Sequence, residues 1–413
     1  MKLKILFCDF GHLSLRNNAP YWGRKVVLLL LLAVVSIAEA QEEARIVTGA
    51  ERIDQYLHYT QHKTVAIVAN QASMVGDCHL VDTLLAIGVH IKYILCPEHG
   101  FRGNAEAGAT IHNSVDSATG IPIISLYGNN KKPKSEQLPE VEVVLFDLQD
   151  VGCRFYTYIS TLHYVMEYCA ENPIESLILL DRPNPNGSYV DGPVMEPQYT
   201  SFVGMHPGVP VVYGMTIGEY ATMINEEHWL AGGKRCPLHV VTMNNYTHDS
   251  AYRLPIPPSP NLQTAQAIAL YPSLCLFEGT NISVGRGTDH PFEYIGAPSF
   301  KGYHGDIKAI TFTPHTIKGV SENPPFKNVR CEGLDLREVV PAKAFDLTYL
   351  LTMYKHTNHA DFFLKSNFFE KLAGTNTLRQ QLKSGASEEE IRASWESGIA
   401  QFKVIRQKYL LYP

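Results

Sequence analysis

The heptapeptide PEHGFRG, residues 97–103, sets Glu98, His99 and Arg102 among glycines, directly after the apolar run Tyr93-Ile94-Leu95-Cys96. A carboxyl group that leaves an apolar strand beneath a glycine-rich turn is partly desolvated. That disfavours its ionised form and suits it to proton donation. The same glutamate could instead cap its own loop through backbone N–H groups. FDLQDVGCRFYTYIS (146–160) gathers Asp147, Gln149, Asp150, Arg154, Tyr156 and Tyr158 after one apolar run. Carboxylates, an amide and phenols facing a crevice match the recognition of sugar hydroxyls, with rings packing on pyranose faces. Asp150 and Arg154 taken alone also fit a structural ion pair. LLDRPNPNG (179–187) brings Asp181 and Arg182 into a Pro-Asn-Pro turn that proline pre-orders. Arg182 could take a ligand carboxylate bidentately or hold Asp150. EGTNISVGRGTDHPFE (278–293) offers Glu278, Asn281, Arg286, Asp289, His290 and Glu293, with glycines that admit a ligand close to the backbone.

Other chemistries find less support. His99, His112, His163 and His290 are scattered, and neither H-E-x-x-H nor comparable ligand spacing occurs, although a metal site assembled across strand ends stays open. There is no G-x-S-x-G elbow for a serine nucleophile and no Gly-Lys-Ser/Thr for a phosphate loop. No cofactor is expected.

These clusters need a scaffold, and the sequence supplies one. Near-continuous apolar runs at 64–70, 91–97, 121–128, 141–150, 176–183 and 237–243 read as strands covered on both faces of a parallel sheet. Helix patterns lie between them, at 79–88 ending on Gly88, at 158–172 before Pro173, and at 216–230. The last opens with Thr216 and, three residues later, Glu219, a capping box. The alternation predicts a Rossmann-like α/β domain over 45–265. No G-x-G-x-x-G follows the first strand, so no nucleotide is expected. In open α/β sheets ligands bind outside the carboxyl ends of the strands. Those ends carry Asn70-Gln71, Glu98-His99, Tyr127-Gly128, Asp147 through Asp150, and Asp181-Arg182. Residues 253–274, proline-rich, read as a linker or wrapping segment. A smaller α+β ancillary domain is expected over 270–413, with a strand near 307–314 and helices near 345–357 and 387–410.

Composition bounds the rest. With 413 residues, 45% apolar, 18% charged and a formal charge of -6, the chain suits two domains and excludes a general nucleic-acid binder. Arg24-Lys25, an apolar stretch and Ala38-Glu39-Ala40 before Gln41 follow the order of a cleaved signal peptide over 1–40, with residues 1–23 an extension that a mis-called start codon would explain. Export to the periplasm or medium is the expectation. Seven cysteines after that segment, without a C-x-x-C pair, fit buried thiols better than a disulfide framework.

PEHGFRG, GIPIISLYG, FDLQDVGCRFYTYISTL, LLDRPNPNG, SFVG, GMTIGEYA and FEGTNISVGRGTDHPFEYIGAP, in this order from about residue 60 onwards, together resemble the NamZ family of exo-β-N-acetylmuramidases. The resemblance implies an exported bacterial glycosidase of cell-wall turnover. It would release N-acetylmuramic acid from non-reducing ends of peptidoglycan fragments, muramyl disaccharides or glycan chain ends. It implies Glu98 as the acid/base, and a Rossmann-like domain facing a smaller ancillary domain across a cleft. A second carboxylate is sought among Asp147, Asp150 and Asp289, with Asp150 preferred. Asn70, His99, Arg102, Tyr127, Gln149, Arg154, Tyr156, Arg182 and Arg286 are the residues placed for substrate binding. The muramyl lactyl carboxylate needs a cation, for which Arg102, Arg154, Arg182 and Arg286 are the forks at hand. A metal-assisted hydrolase or amidase on wall peptides, and a periplasmic muramyl-sugar-binding protein without turnover, are the rival readings.

Overall fold

Seven strands make the central sheet of the computed structural model, which describes residues 45–98, 100–101 and 114–413. The predicted leader, His99 and Arg102 lie outside the described residues. In chain order the strands are β1 (Val65–Ala69), a small hairpin of β2 (Met74–Val75) and β3 (Cys78–His79), β4 (Ile91–Cys96), β5 (Ser114–Val115), β6 (Pro122–Ser125), β7 (Val143–Asp147) and β8 (Ser176–Leu180). A second hairpin, β9 (Asp191–Val194) and β10 (Pro210–Val212), precedes β11 (Leu238–Val241). The sheet order is β11-β8-β7-β1-β4-β6-β5, parallel throughout except for the antiparallel edge strand β5. From β1 the chain first builds outward through β4 and β6. It then returns to build the other side through β7, β8 and β11. This is the doubly wound order, with its reversal between β1 and β7.

Strand periodicity explains why those runs are apolar end to end. Ala66 and Val68 of β1, Val144 and Phe146 of β7, and Leu177 and Leu179 of β8 enter one core, while Val65, Ile67, Ala69, Val143, Leu145, Ile178 and Leu180 enter the other. Successive side chains point to opposite faces, and both faces are covered. The first core continues without a break into the C-terminal part of the chain through Phe277, Phe292, Leu350 and Phe369. Residues 46–413 accordingly form one compact unit.

The helices follow the sequence signals closely. They include α1 (Leu80–Ala86), α2 (Tyr158–Glu171) and α3 (Ile217–Glu226). Thr216 accepts from the Glu219 N–H while the Glu219 carboxylate accepts from the Thr216 N–H, the reciprocal box read from the sequence. The proline-rich segment departs from expectation, because its second half is a helix, α4 (Ala265–Leu274), with Pro272 inside it. Proline cannot donate to the carbonyl four residues back, here Ile268. That carbonyl is taken instead by Asn186 Nδ2 at 3.2 Å, so the orphan is satisfied by a tertiary contact no local pattern shows. The C-terminal part carries an antiparallel sheet, β12 (Tyr294–Ala297), β13 (Ala309–Phe312) and β14 (Cys331–Asp335), with β14 central. Its helices include α5 (Thr348–His356), α6 (Phe368–Ala373) and α7 (Glu388–Arg406), the last capped by Ser387. All seven cysteines in the described residues are unbridged, and only Cys78 is exposed.

One polar knot ties the last residues to the central sheet. Asp181, fully buried after β8, accepts at Oδ1 from the N–H groups of Arg182 (3.0 Å) and Gly218 (2.9 Å). At Oδ2 it accepts from the hydroxyls of Thr216 (2.7 Å) and Tyr412 (2.6 Å). Burial still outweighs these donors and pushes the Asp181 carboxyl up to about 7. The folded state therefore holds this proton where the unfolded chain, with a value near 3.9, has released it. Its contribution to stability is full below about pH 4 and is lost as pH rises towards 7. We expect Asp181→Asn to gain on wild type across that window by up to roughly 4 kcal/mol, with no further change above it. Urea unfolding of both proteins at pH 4, 5.5, 7 and 8 checks this; a pH-independent difference would refute the assignment.

Candidate active site

Above the carboxyl ends of β4 and β6 lies a cavity of about 780 Å³ whose walls come from both parts of the chain. Glu98, two residues beyond β4, and Tyr127, two residues beyond β6, supply one side. The segment from Phe155 to Tyr158 forms another, and Ser259, Tyr271, Glu278, Arg286, Phe292 and the loop 320–326 complete the wall. The Tyr127 phenol is held above its usual range by burial first, then by the nearby charge of the Glu98 carboxylate. Proline at 97 explains why Glu98 sits there: it ends the β4 ladder, and the chain turns through Gly100 at φ 75°.

The wall is aromatic. Tyr156 meets Tyr158 edge-on at 4.8 Å, Tyr271 meets Phe155 at 5.4 Å and Phe292 at 5.0 Å, and the Arg286 guanidinium lies 5.2 Å from the Phe292 ring centroid. Edge-to-face pairs of this kind lock one another's rotamers. Tyr156 and Tyr158 are further fixed by donating to the Pro258 carbonyl at 2.9 and 3.3 Å, and Asn70 Nδ2 donates to the Tyr158 oxygen at 2.9 Å. Asn70 itself is fully buried and acts on the cavity through that tyrosine.

Of the residues singled out by sequence, the structure brings Glu98, Tyr127, Tyr156, Tyr158, Glu278, Asn281 and Arg286 onto one surface. Others lie elsewhere. Gln149 is buried and donates to the carbonyls of Asp150 and Pro183, both at 2.8 Å. Asp150 is buried behind the aromatic wall, where its carboxylate accepts from the Tyr213 hydroxyl and, at 2.8 Å, from the Gly152 N–H. Burial pushes it up to about 6. Gly152 has φ 77°, and a Cβ there would sit 2.2 Å from Asn184 Oδ1, so this turn needs glycine. Arg182 grips Asp147 with Nε at 2.5 Å and Nη2 at 2.8 Å and spends Nη2 also on the Met74 carbonyl. It pairs with Asp147 and not with Asp150.

Arg154 departs furthest from the sequence reading. It makes no pair with Asp150, and its side chain is sealed from solvent. Nη1 donates to the carbonyls of Pro193 (2.9 Å) and Val209 (2.6 Å), and Nη2 to those of Leu372 (2.9 Å) and Ala373 (2.7 Å). The last two belong to the carboxyl end of α6, where a cation complements the unsatisfied carbonyls. The helix stops at Gly374 with φ 77°, and a Cβ there would press to 2.7 Å from Arg154 Nη2. Burial without a counter-ion lowers the guanidinium to about 10.

Sequence reasoning missed most of the wall: Phe155, Tyr271, Phe292, Phe368 and the loop around Glu322. The aromatics of FYTY were visible as a cluster, whereas ENPPF (322–326) signals only a turn. Asp289, His290 and Glu293 fall outside the cavity; His290 Nδ1 and Glu293 pair at 3.0 Å, and Thr264 Oγ1 donates to Glu293 at 2.5 Å.

Known proteins share this fold. The family model described as exo-β-N-acetylmuramidase NamZ, N-terminal, matches residues 65–266, and its C-terminal counterpart matches residues 269–412. The chain belongs to the NamZ family of exo-β-N-acetylmuramidases. It is similar to the peptidoglycan β-N-acetylmuramidase NamZ of Bacillus subtilis strain 168, with 36% identity across 93% of this chain and 97% of that one. Two crystal structures of DUF1343 family proteins from Bacteroides fragilis share the fold. One is 43% identical with a TM-score of 0.81 and the other 29% identical with a TM-score of 0.77, each match covering 89% of this chain and 99% of the other.

Proposed function

We propose that this protein is an exo-acting β-N-acetylmuramidase that releases N-acetylmuramic acid from the non-reducing ends of peptidoglycan-derived fragments, with Glu98 as general acid/base. The observation that carries this reading is the position of Glu98: a strand-end carboxyl on the surface of an aromatic-walled cavity, beside Tyr127, whose phenol it helps to raise. The cavity volume falls in the range of pockets that enclose one small ligand, which suits a terminal sugar better than the middle of a chain. The matching signal-peptide order at 24–40 supports action outside the cytoplasm, in the periplasm or medium, where peptidoglycan lies.

In the proposed reaction Glu98 protonates the glycosidic oxygen as the anomeric C–O bond breaks and positive charge develops on the ring. The Glu98 carboxylate then takes a proton from the attacking water. Asp147 is committed to Arg182 and Asp150 to Tyr213, so among the described residues the acids that share the cavity surface with Glu98 are Glu278 and Glu322. Asp150 thus shapes the wall without touching the sugar. An enzymic nucleophile or base would come from Glu278 or Glu322, whereas attack by the substrate's own 2-acetamido oxygen needs neither.

The test is incubation of the purified protein with a chromogenic β-N-acetylmuraminide and with a muramyl-terminated glycan labelled at its reducing end. We expect chromophore release from the first, and from the second free N-acetylmuramic acid in stepwise single-sugar losses. Absence of both products would overturn the reading, and an early burst of mid-length fragments would overturn its exo character.

A further inference from the structure

The structure assigns recognition of the acidic side group of the terminal sugar to Arg286, held for that purpose by Glu278. The inference rests on the proposed muramidase reading and names the residue that makes the site selective for an acid. Arg286 is the sole cationic side chain lining the cavity among the described residues. Its Nε donates to Glu278 Oε1 at 2.6 Å, and the Phe292 ring supports its flat face. Its two Nη groups donate to nothing in the described residues, and the side chain keeps 19% of its exposure. The guanidinium is thus fixed at one edge and open at the other, the geometry of a fork awaiting a planar anion.

The other arginines placed for this role are committed or lie outside the described residues. Arg154 uses both Nη groups on four carbonyls, Arg182 is closed on Asp147 and Met74, and Arg102 is not described. Glu98, Glu278 and Glu322 line the same cavity, so its described lining offers anions no general attraction. Among the described residues, a carboxylate there meets a cation only at Arg286. The lactyl ether of a muramyl sugar carries one such carboxylate, and the otherwise similar N-acetylglucosaminyl sugar carries none. A site built to pair a substrate group rejects the analogue that lacks it far more strongly than an apolar pocket can. Glu278 is a positioning residue here, since it pre-orients the fork that would otherwise sample many rotamers.

The experiment uses three chromogenic substrates: the β-N-acetylmuraminide, its lactyl amide and the β-N-acetylglucosaminide. Wild type should favour the acid over the amide by about 100-fold in kcat/KM. Arg286→Met should lose a similar factor on the acid, mostly through KM, and so bring its kcat/KM for acid and amide to within a few-fold of each other. Arg286→Lys should recover part of the loss. Equal rates of wild type on acid and amide would overturn the assignment without any variant, as would an Arg286→Met protein that keeps its preference or loses all three activities in parallel. Failure of wild type to cleave any of the three would instead remove the muramidase reading on which the assignment stands.

Discussion

Replacing Glu98 by glutamine is expected to lower kcat/KM by about 1,000-fold on a muramyl disaccharide, within the range general acid catalysis supplies. The substitution keeps the side-chain volume and a polar oxygen beside Tyr127, so the cavity should be preserved. What it removes is the transferable proton. The loss should therefore scale with the leaving group's need for one. A sugar alkoxide needs protonation to depart, whereas a nitrophenolate departs with little help, so the loss on a nitrophenyl muraminide should be much smaller. Steady-state kinetics on both substrates make the comparison. An equal loss on the two would move Glu98 out of the acid role and into binding, and full activity would remove it from the reaction.

Arg154→Met is the second large effect, and it falls on stability. Four carbonyls, two from the β9–β10 hairpin region and two from the end of α6, would lose the Arg154 guanidinium as their donor at one stroke. Stranding buried acceptors costs about 1–3 kcal/mol each in isolated cases, and losses within one network are not additive. Methionine fills much of the volume and relieves the burial of a lone charge. We expect a net destabilisation of about 3–5 kcal/mol in urea unfolding, with kcat and KM of the folded protein within a few-fold of wild type. A variant of unchanged stability but raised KM would return Arg154 to the ligand site.

The sequence made the scaffold readable because its signals are local. Both-face burial writes itself as unbroken apolar runs, and Thr216-x-x-Glu219 and Ser387-x-x-Glu390 mark helix starts through contacts three residues apart. Glu98 was legible for a related reason: a strand that ends in Pro97 must deliver the next side chain to the sheet's rim. The depth of a charge is not local. Asp147, Asp150, Arg154 and Arg182 all follow strand ends, yet which of them faces solvent depends on α6, β9 and β10, far away in the chain. The helix through Pro272 was hidden likewise, since Asn186, 82 residues away, absorbs the penalty that proline advertises.

The cavity's divided construction has a further consequence. Glu98, Tyr127 and Tyr156 come from one part of the chain, and Arg286, Phe292 and Phe368 from the other, so the site exists only while residues 46–413 hold together as one folded unit. A ligand that binds only this folded unit stabilises it by about 2.7 kcal/mol at 100 times its dissociation constant. Reciprocity requires the converse: whatever loosens the shared core weakens that ligand by the same amount. Ligand affinity at this cavity thus doubles as a gauge of how firmly the two parts of the chain share their core.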